Sequence, residues 1–113
     1  RALDLAAMRR AARLFVGKRN YRSFASNRSY EMEDYVRRLT RCEIRRSGKQ
    51  LTFIIVGDGF LYKMCRGIVG TLVQVGEGRL SAAAVRRILR EQSRAAAGVN
   101  APACGLVLWR VIY

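Results

Sequence analysis

The sequence predicts an α+β domain in which an antiparallel or mixed β-sheet carries two or three helices on one face. The first observation is a helical recurrence of apolar residues from Phe60 to Val75, bounded by glycine-rich turns. The second is a pair of strand-like stretches, residues 39–45 and 51–56, joined by a Ser-Gly-Lys turn. The third is an alternating stretch at residues 105–113. Because the chain has 113 residues, a single domain, 1–113, is expected.

Two further helices are predicted outside the central one. Asp4 is a suitable N-cap for a helix that ends at Gly17, and Ser81 is a suitable N-cap for another. Residues 29–38 are polar and are expected to form a surface loop or a short helical turn. The buried face of the later helix is expected to consist of Val85, Ile88 and Leu89.

The central helix is predicted to be buried nearly all round, because apolar residues cover most of its circumference. Glycines cost a helix interior about 1 kcal/mol each relative to alanine, so a close approach is expected at Gly67 and Gly70, where a second domain could fit. Arg66 borders these glycines. It is either a half-exposed residue whose stem covers apolar surface, or a positioned cation at a site that this chain only half builds. The narrow non-apolar arc consists of Lys63, Arg66, Gly67, Gly70 and Gln74.

The composition points to a polyanionic partner. The 22 basic and 8 acidic residues give a net charge of +14, which favours nucleic acid over a merely solubilising surface. The absence of histidine removes the commonest general base and the commonest metal ligand. Three widely spaced cysteines without a C-x-x-C motif indicate reduced, buried thiols in a cytoplasmic protein. No apolar run reaches about 18 residues and no signal peptide is recognisable, so no membrane partner is expected.

Residues 17–28 are predicted to form a loop that combines cations with aromatic rings. Tyr21 and Phe24 either stack on RNA bases or anchor the loop in the core. The basic face of the first helix is either solvated or directed at phosphates. On this chemistry the RNA-binding candidates are Arg9, Arg10, Arg13, Lys18, Arg19, Arg22 and Lys63.

Several stretches resemble the C-terminal domain of the tRNA pseudouridine synthase A family. Residues 60–70 resemble its F-L-x-x-M-x-R-x-x-x-G helix, and residues 101–113 resemble its A-P-A-x-G-L-x-L-x-x-V-x-Y ending. Residues 17–24 resemble a G-x-H-D-F-x-x-F segment, although Arg19-Asn20 stand where His-Asp is frequent and Tyr21 replaces a phenylalanine. Any role of that histidine and aspartate is therefore not transferred to this chain.

The resemblance implies an isomerase that converts uridine to pseudouridine in the anticodon stem-loop of tRNA, without a metal or cofactor. The family's catalytic aspartate lies in an R-T-D-A-G-V-H-like motif that this sequence lacks, so the chain is expected to be a piece of a longer protein, following its own N-terminal catalytic domain. Arg66 matches the arginine that pairs with that aspartate. Leu106, with the backbone of Gly105, matches a position that closes over the target base, unless it is plain strand core. The family also implies a homodimer.

Two other functions remain open from the sequence alone. A non-catalytic basic RNA-binding module would need the same charge and rings, but the chain lacks the aromatic string of the commonest sheet-based RNA binder. A structural or dimerisation domain would carry its charge incidentally. Steep salt dependence of RNA binding would argue against that second alternative.

Overall fold

The computed structural model describes residues 3–21, 24, 35–48, 50–59, 64–91 and 107–112, with the backbone alone at 91 and 107–112. The elements, in chain order, are α1 (Leu5–Ala12), a 3-10 turn (Arg13–Phe15), β1 (Gly17–Asn20), β2 (Val36–Ser47), β3 (Gln50–Gly57), α2 (Met64–Gly76), α3 (Ala82–Glu91) and β4 (Val107–Ile112).

The strands form one mixed sheet in the order β1-β2-β3-β4. The first two pairings are antiparallel, whereas β4 lies parallel to β3. A parallel pairing needs a crossover connection, and here the crossover contains α2 and α3. The predicted α+β class with a mixed sheet is therefore confirmed.

One face of the sheet is covered by the helices. Cys42 and Ile44 of β2 pair in register with Ile55 and Phe53 of β3, and all four are buried in a core that also contains residues of α1, α2 and α3. The intervening β2 residues are much more exposed, as the alternation of a half-buried strand requires. The far face of β2 therefore carries charged side chains: Arg41, Glu43 and Arg45.

Both predicted helix caps are present. The backbone N–H of Ala7 donates to Asp4 Oδ1 at 3.1 Å, and the N–H of Ala84 donates to Ser81 Oγ at 3.1 Å. Each bond satisfies an N–H that the first helical turn leaves without an intrahelical acceptor. The buried face of α3 is as predicted: Val85, Ile88 and Leu89.

The prediction of a continuous loop over residues 17–28 was wrong at its start. Gly17–Asn20 form β1, which pairs with Val36–Leu39. The same pairing extends β2 back into the polar stretch that had been expected to be a loop or helical turn. Neither Gly17–Asn20 nor the start of β2 before Leu39 shows apolar alternation, so the sequence pattern does not mark this pairing.

The aromatic residues of this segment belong to the core. Tyr21 is fully buried and Phe24 is 3% exposed, and both rings pack with Phe15 at centroid distances of 6.3 and 5.3 Å. Tyr21 Oη donates to the carbonyl of Phe15 at 2.6 Å. The rings therefore anchor the segment, and the alternative that they stack on RNA bases was wrong.

Helix α2 is the central helix, as predicted. Ten of its thirteen residues are buried. A Cβ added at Gly67 would lie 2.9 Å from the carbonyl oxygen of Phe24, so the expected close approach exists, but the neighbour at Gly67 is a segment of the same chain rather than a second domain. No helix in the described part of the chain is long and apolar enough to cross a membrane.

Candidate functional site

Arg66 lies in the first turn of α2, two residues after its start at Met64. The residue as a whole is partly exposed, but its Nε is buried. Its neighbours Cys65 and Gly67 are buried as well. The Nε atom of Arg66 is withdrawn from water, although other atoms of the residue reach the surface. The fold therefore restricts the position of this side chain. This geometry fits both alternatives, a half-exposed residue whose stem covers apolar surface and a positioned cation.

Arg66 directly follows the buried residue Cys65 in the first turn of α2. Burial raises the pKa of Cys65 to about 12. Burial, with a contribution from Cys65, also raises the pKa of Cys42 to about 12. Both thiols therefore remain protonated at neutral pH. A carboxylate brought to Arg66 would meet a guanidinium that keeps its positive charge throughout the physiological pH range.

Four of the candidate residues lie outside the described part of the chain: Arg22, Lys63, Gly105 and Leu106. The structure places the others. Arg9, Arg10 and Arg13 are all exposed on or just after α1. Only Arg9 and Arg13 line a groove of about 400 Å³ between this helix and β2. Thus the three arginines that the sequence grouped together do not share one environment.

Lys18 and Arg19 lie on β1, directly opposite arginines of β2. Lys18 pairs with Arg38 and Arg19 pairs with Arg37. Like charges at opposed positions disfavour a strand pair. Arg19 has a structural role, since its Nε donates to the carbonyl of Leu14 at 2.9 Å and its Nη1 donates to that of Lys18 at 3.1 Å.

A second groove of about 370 Å³ lies beside this strand pair and is lined by Lys18, Val36, Arg37, Arg38 and Asp58. Asp58 is tied to the strand: its Oδ1 accepts from the N–H of Arg38 at 3.0 Å, and its own N–H donates to the carbonyl of Arg38 at 3.0 Å. Sequence reasoning missed the β2 arginines as site candidates, because they belong to no motif. Their opposition to β1 could be found only from the pairing register.

No three histidine, cysteine, aspartate or glutamate side chains within the described ranges form a group that could hold a metal ion. Arginines contribute to the lining of both grooves. Fold and surface together define an α+β domain with arginines gathered in surface grooves and a half-buried arginine on its central helix.

Comparison with known proteins identifies the family. A family model described as tRNA pseudouridine synthase matches residues 11–113. The tRNA pseudouridine synthase A of Geobacillus kaustophilus is 44% identical over 112 residues, which cover 99% of this chain and 43% of that protein. The enzyme of the same name from Brevibacillus brevis is 43% identical over 111 residues, covering 98% and 45%. That of Methylacidiphilum infernorum is 42% identical over 113 residues, covering 100% and 44%.

The chain belongs to the tRNA pseudouridine synthase family. It spans less than half the length of the curated relatives it matches.

Proposed function

We propose that this chain is the C-terminal domain of a cytoplasmic enzyme that converts uridine to pseudouridine in the anticodon stem-loop of tRNA. Family membership and the length of the relatives support this assignment. The observation that carries it is the half-buried Arg66 in the first turn of α2, within the stretch that resembles the family's arginine-bearing helix. The catalytic aspartate belongs to a preceding N-terminal domain, and the full-length enzyme is a homodimer.

In this proposal Arg66 pairs with the catalytic carboxylate of the preceding domain. The reaction breaks the N-glycosidic bond of a uridine, rotates the base and rejoins it through C5. The carboxylate must stay ionised in a closed pocket, and a neighbouring arginine, which does not lose its proton, lowers the carboxylate pKa. Two parallel hydrogen bonds would also fix the direction of the carboxylate towards the sugar.

Leu106 and Gly105 complete the same wall in this proposal. Leu106 closes over the target base with its apolar side chain, and the backbone of Gly105 assists. They immediately precede β4, whose first residue Val107 is in register with Leu51 of β3. The chemistry needs no metal ion or cofactor.

The basic surface binds the tRNA. The target uridine must leave its base stack, which costs a few kcal/mol, and phosphate contacts offset that cost. Opposed like charges on β1 and β2 support this role, because a bound polyanion would relieve their repulsion. The residues proposed to contact RNA are Arg9, Arg10, Arg13, Lys18, Arg19, Arg22 and Lys63.

Substitution of Arg66 in the full-length enzyme tests the catalytic role. Arg66→Lys is expected to be nearly as damaging as Arg66→Ala, because a point charge cannot make the two-pronged contact. Each variant should lower the single-turnover rate on saturating tRNA by about a hundredfold or more. Single-turnover rates at saturation report chemistry rather than binding. The melting temperature and the tRNA affinity should change little.

The matched control is Arg86→Lys, which makes the same replacement at an exposed position of α3. It should leave the rate unchanged. A parent-like rate for Arg66→Lys would remove the catalytic role of Arg66. If the full-length protein bound tRNA but formed no pseudouridine at all, the alternative of a non-catalytic RNA-binding protein would replace the proposed activity.

A further inference from the structure

Strand β2 is much longer than the strand that flanks it. Its pairing with β1 covers only Val36–Leu39, and a bulge follows between Leu39 and Arg41. Beyond that bulge, the described strands offer β2 a partner only on the β3 side. The open edge of β2 faces the groove of about 400 Å³ beside α1. A sheet edge left open in this way needs either protection or an occupant.

Four of the nine residues that line the groove are arginines. Arg9 and Arg13 come from the first helical segment, and Arg41 and Arg45 come from β2. The single acidic residue in the lining is Glu43. Arg41 holds it with a two-pronged contact, Nε to Oε2 at 2.9 Å and Nη2 to Oε1 at 2.8 Å.

Glu43 only partly neutralises this lining. The hydrogen bonds from Arg41 lower the pKa of Glu43, so this carboxylate stays ionised. Its negative charge balances the positive charge of one arginine. Arg45 is more weakly engaged, with its Nη2 3.9 Å from Glu43 Oε1 and 68% of its side chain exposed. The lining therefore keeps a positive excess from Arg9, Arg13 and Arg45.

One of the charged side chains of the groove is also held in a fixed position by a hydrogen bond. Arg9 Nε donates to the carbonyl oxygen of Ile44 at 3.2 Å, which fixes one guanidinium over the strand edge. That bond uses one of the five N–H donors of the side chain. The N–H and C=O of a strand residue point to the same side, so the N–H of Ile44 also faces this edge. Arg41 and Arg45 are four residues apart on the strand, about 13 Å.

We propose that this groove binds the sugar–phosphate backbone of RNA, with Arg9, Arg13 and Arg45 as the phosphate contacts. The inference rests on the proposed function and deepens it: it locates the groove on α1 and β2 where the tRNA backbone lies. Arginine forks and backbone N–H groups are the groups that bind phosphate oxygens. The remaining exposed apolar residue of the lining, Val16, is too small to form a hydrophobic docking site.

The same edge could instead accept an added β-strand from a protein partner. Arg9 argues against this occupant. An added strand would need the carbonyl of Ile44 as an acceptor, and Arg9 already occupies it. A charged side chain placed across an edge is also a known means of preventing strand addition. RNA, which needs the cations and not the acceptor, fits the groove better.

The test is the salt dependence of tRNA binding by the full-length protein. The double variant Arg13→Gln, Arg45→Gln removes two groove charges from exposed side chains, so the fold should persist. Each phosphate contact contributes about 0.7 to 0.9 to the slope of log affinity against log salt. The slope should therefore become shallower by about 1.4 to 1.8, and the low-salt affinity should fall several-fold.

Two control variants sharpen the result. Arg86→Gln with Arg90→Gln removes two charges from exposed positions of α3 and should keep the parent slope. Arg13→Lys with Arg45→Lys keeps both groove charges and should stay close to the parent slope. An unchanged slope in the groove variant, or an equal change in the α3 control, would overturn the proposal and favour a protein partner or open solvent. The readout is equilibrium binding, so it remains decisive even if the protein forms no pseudouridine.

Discussion

At the scale of single residues, the buried thiols show how placement alters chemistry. Cys42 and Cys65 were predicted to be reduced and buried, and both are buried free thiols. Sequence spacing put them more than twenty positions apart, and the fold brings Cys65 close enough to contribute to the raised pKa of Cys42. Proximity of this kind depends on strand β2 and helix α2 packing together, which composition does not reveal.

The raised pKa of Cys42 predicts a loss of stability at alkaline pH. Burial raises the pKa of the Cys42 thiol in the folded protein to about 12, whereas in the unfolded chain the thiol releases its proton near its ordinary pKa of 9.0. Between these values the unfolded state binds fewer protons, so the free energy of unfolding falls as pH rises. Urea unfolding from pH 7 to pH 11 should show this decline. Cys42→Ala should decline less steeply, and equal slopes for parent and variant would contradict the prediction.

Tyr21 shows the limit of residue-level reasoning. The sequence left two roles for its ring, and the bond from its Oη to the carbonyl of Phe15 decides between them. Burial raises the pKa of this phenol as well, so the hydroxyl remains a donor at neutral pH. A buried hydroxyl needs a partner, but no local pattern tells which carbonyl will be presented to it.

At the scale of elements, α2 and its glycine contact were the most predictable feature. Helical periodicity identified the central helix, and Gly67 identified a close approach. The pattern could not identify the neighbour, because Phe24 reaches Gly67 through the tertiary fold. Strand β1 was missed for the same reason, since four polar residues become a strand only by pairing with Val36–Leu39. Periodicity reports which face is buried and not what buries it.

Gly67→Ala is expected to destabilise the protein. Helix propensity alone would stabilise the variant by about 1 kcal/mol. The added Cβ, however, would lie 2.9 Å from the backbone oxygen of Phe24, which cannot rotate away as a side chain could. Overpacking of this kind costs about 1 to 3 kcal/mol, so the net change should be zero to about 2 kcal/mol destabilising.

An exposed position of α3 provides the comparison for that variant. Ala83→Gly should report propensity alone, with a loss of about 1 kcal/mol. Chemical unfolding of both variants measures the two free energies. A Gly67→Ala protein that is about 1 kcal/mol more stable than the parent would mean that Phe24 can move away without cost.

At the scale of the whole molecule, composition predicted the kind of partner but not its location. The net charge of +14 favours nucleic acid wherever the arginines fall. Only the fold separates Arg10 from Arg9 and Arg13, and brings the last two into one groove with Arg41 and Arg45. Arg9 and Arg13 lie 28 to 36 positions before Arg41 and Arg45 in the sequence. Their juxtaposition therefore requires the packing of α1 against β2. The net charge therefore predicts a polyanionic partner for the molecule as a whole, whereas the position of the groove depends on the fold.

The last prediction concerns what the 113 residues can do without further sequence. The chain alone should be folded and should bind tRNA in a salt-dependent manner, yet form no pseudouridine, because it lacks the aspartate motif of the family. Two of its aspartates already have structural roles: Asp4 caps α1, and Asp58 accepts from the N–H of Arg38. Asp34 lies outside the described residues and in no such motif.

Tritium release from tRNA labelled at C5 of uridine measures the reaction directly, with the full-length enzyme as the positive control and circular dichroism as the check that the chain is folded. Binding of tRNA without formation of pseudouridine would fit a domain that supplies Arg66 to an active site whose catalytic aspartate comes from the preceding domain. Turnover by the purified chain would place the nucleophile within these 113 residues and would overturn the division of labour proposed for the two domains.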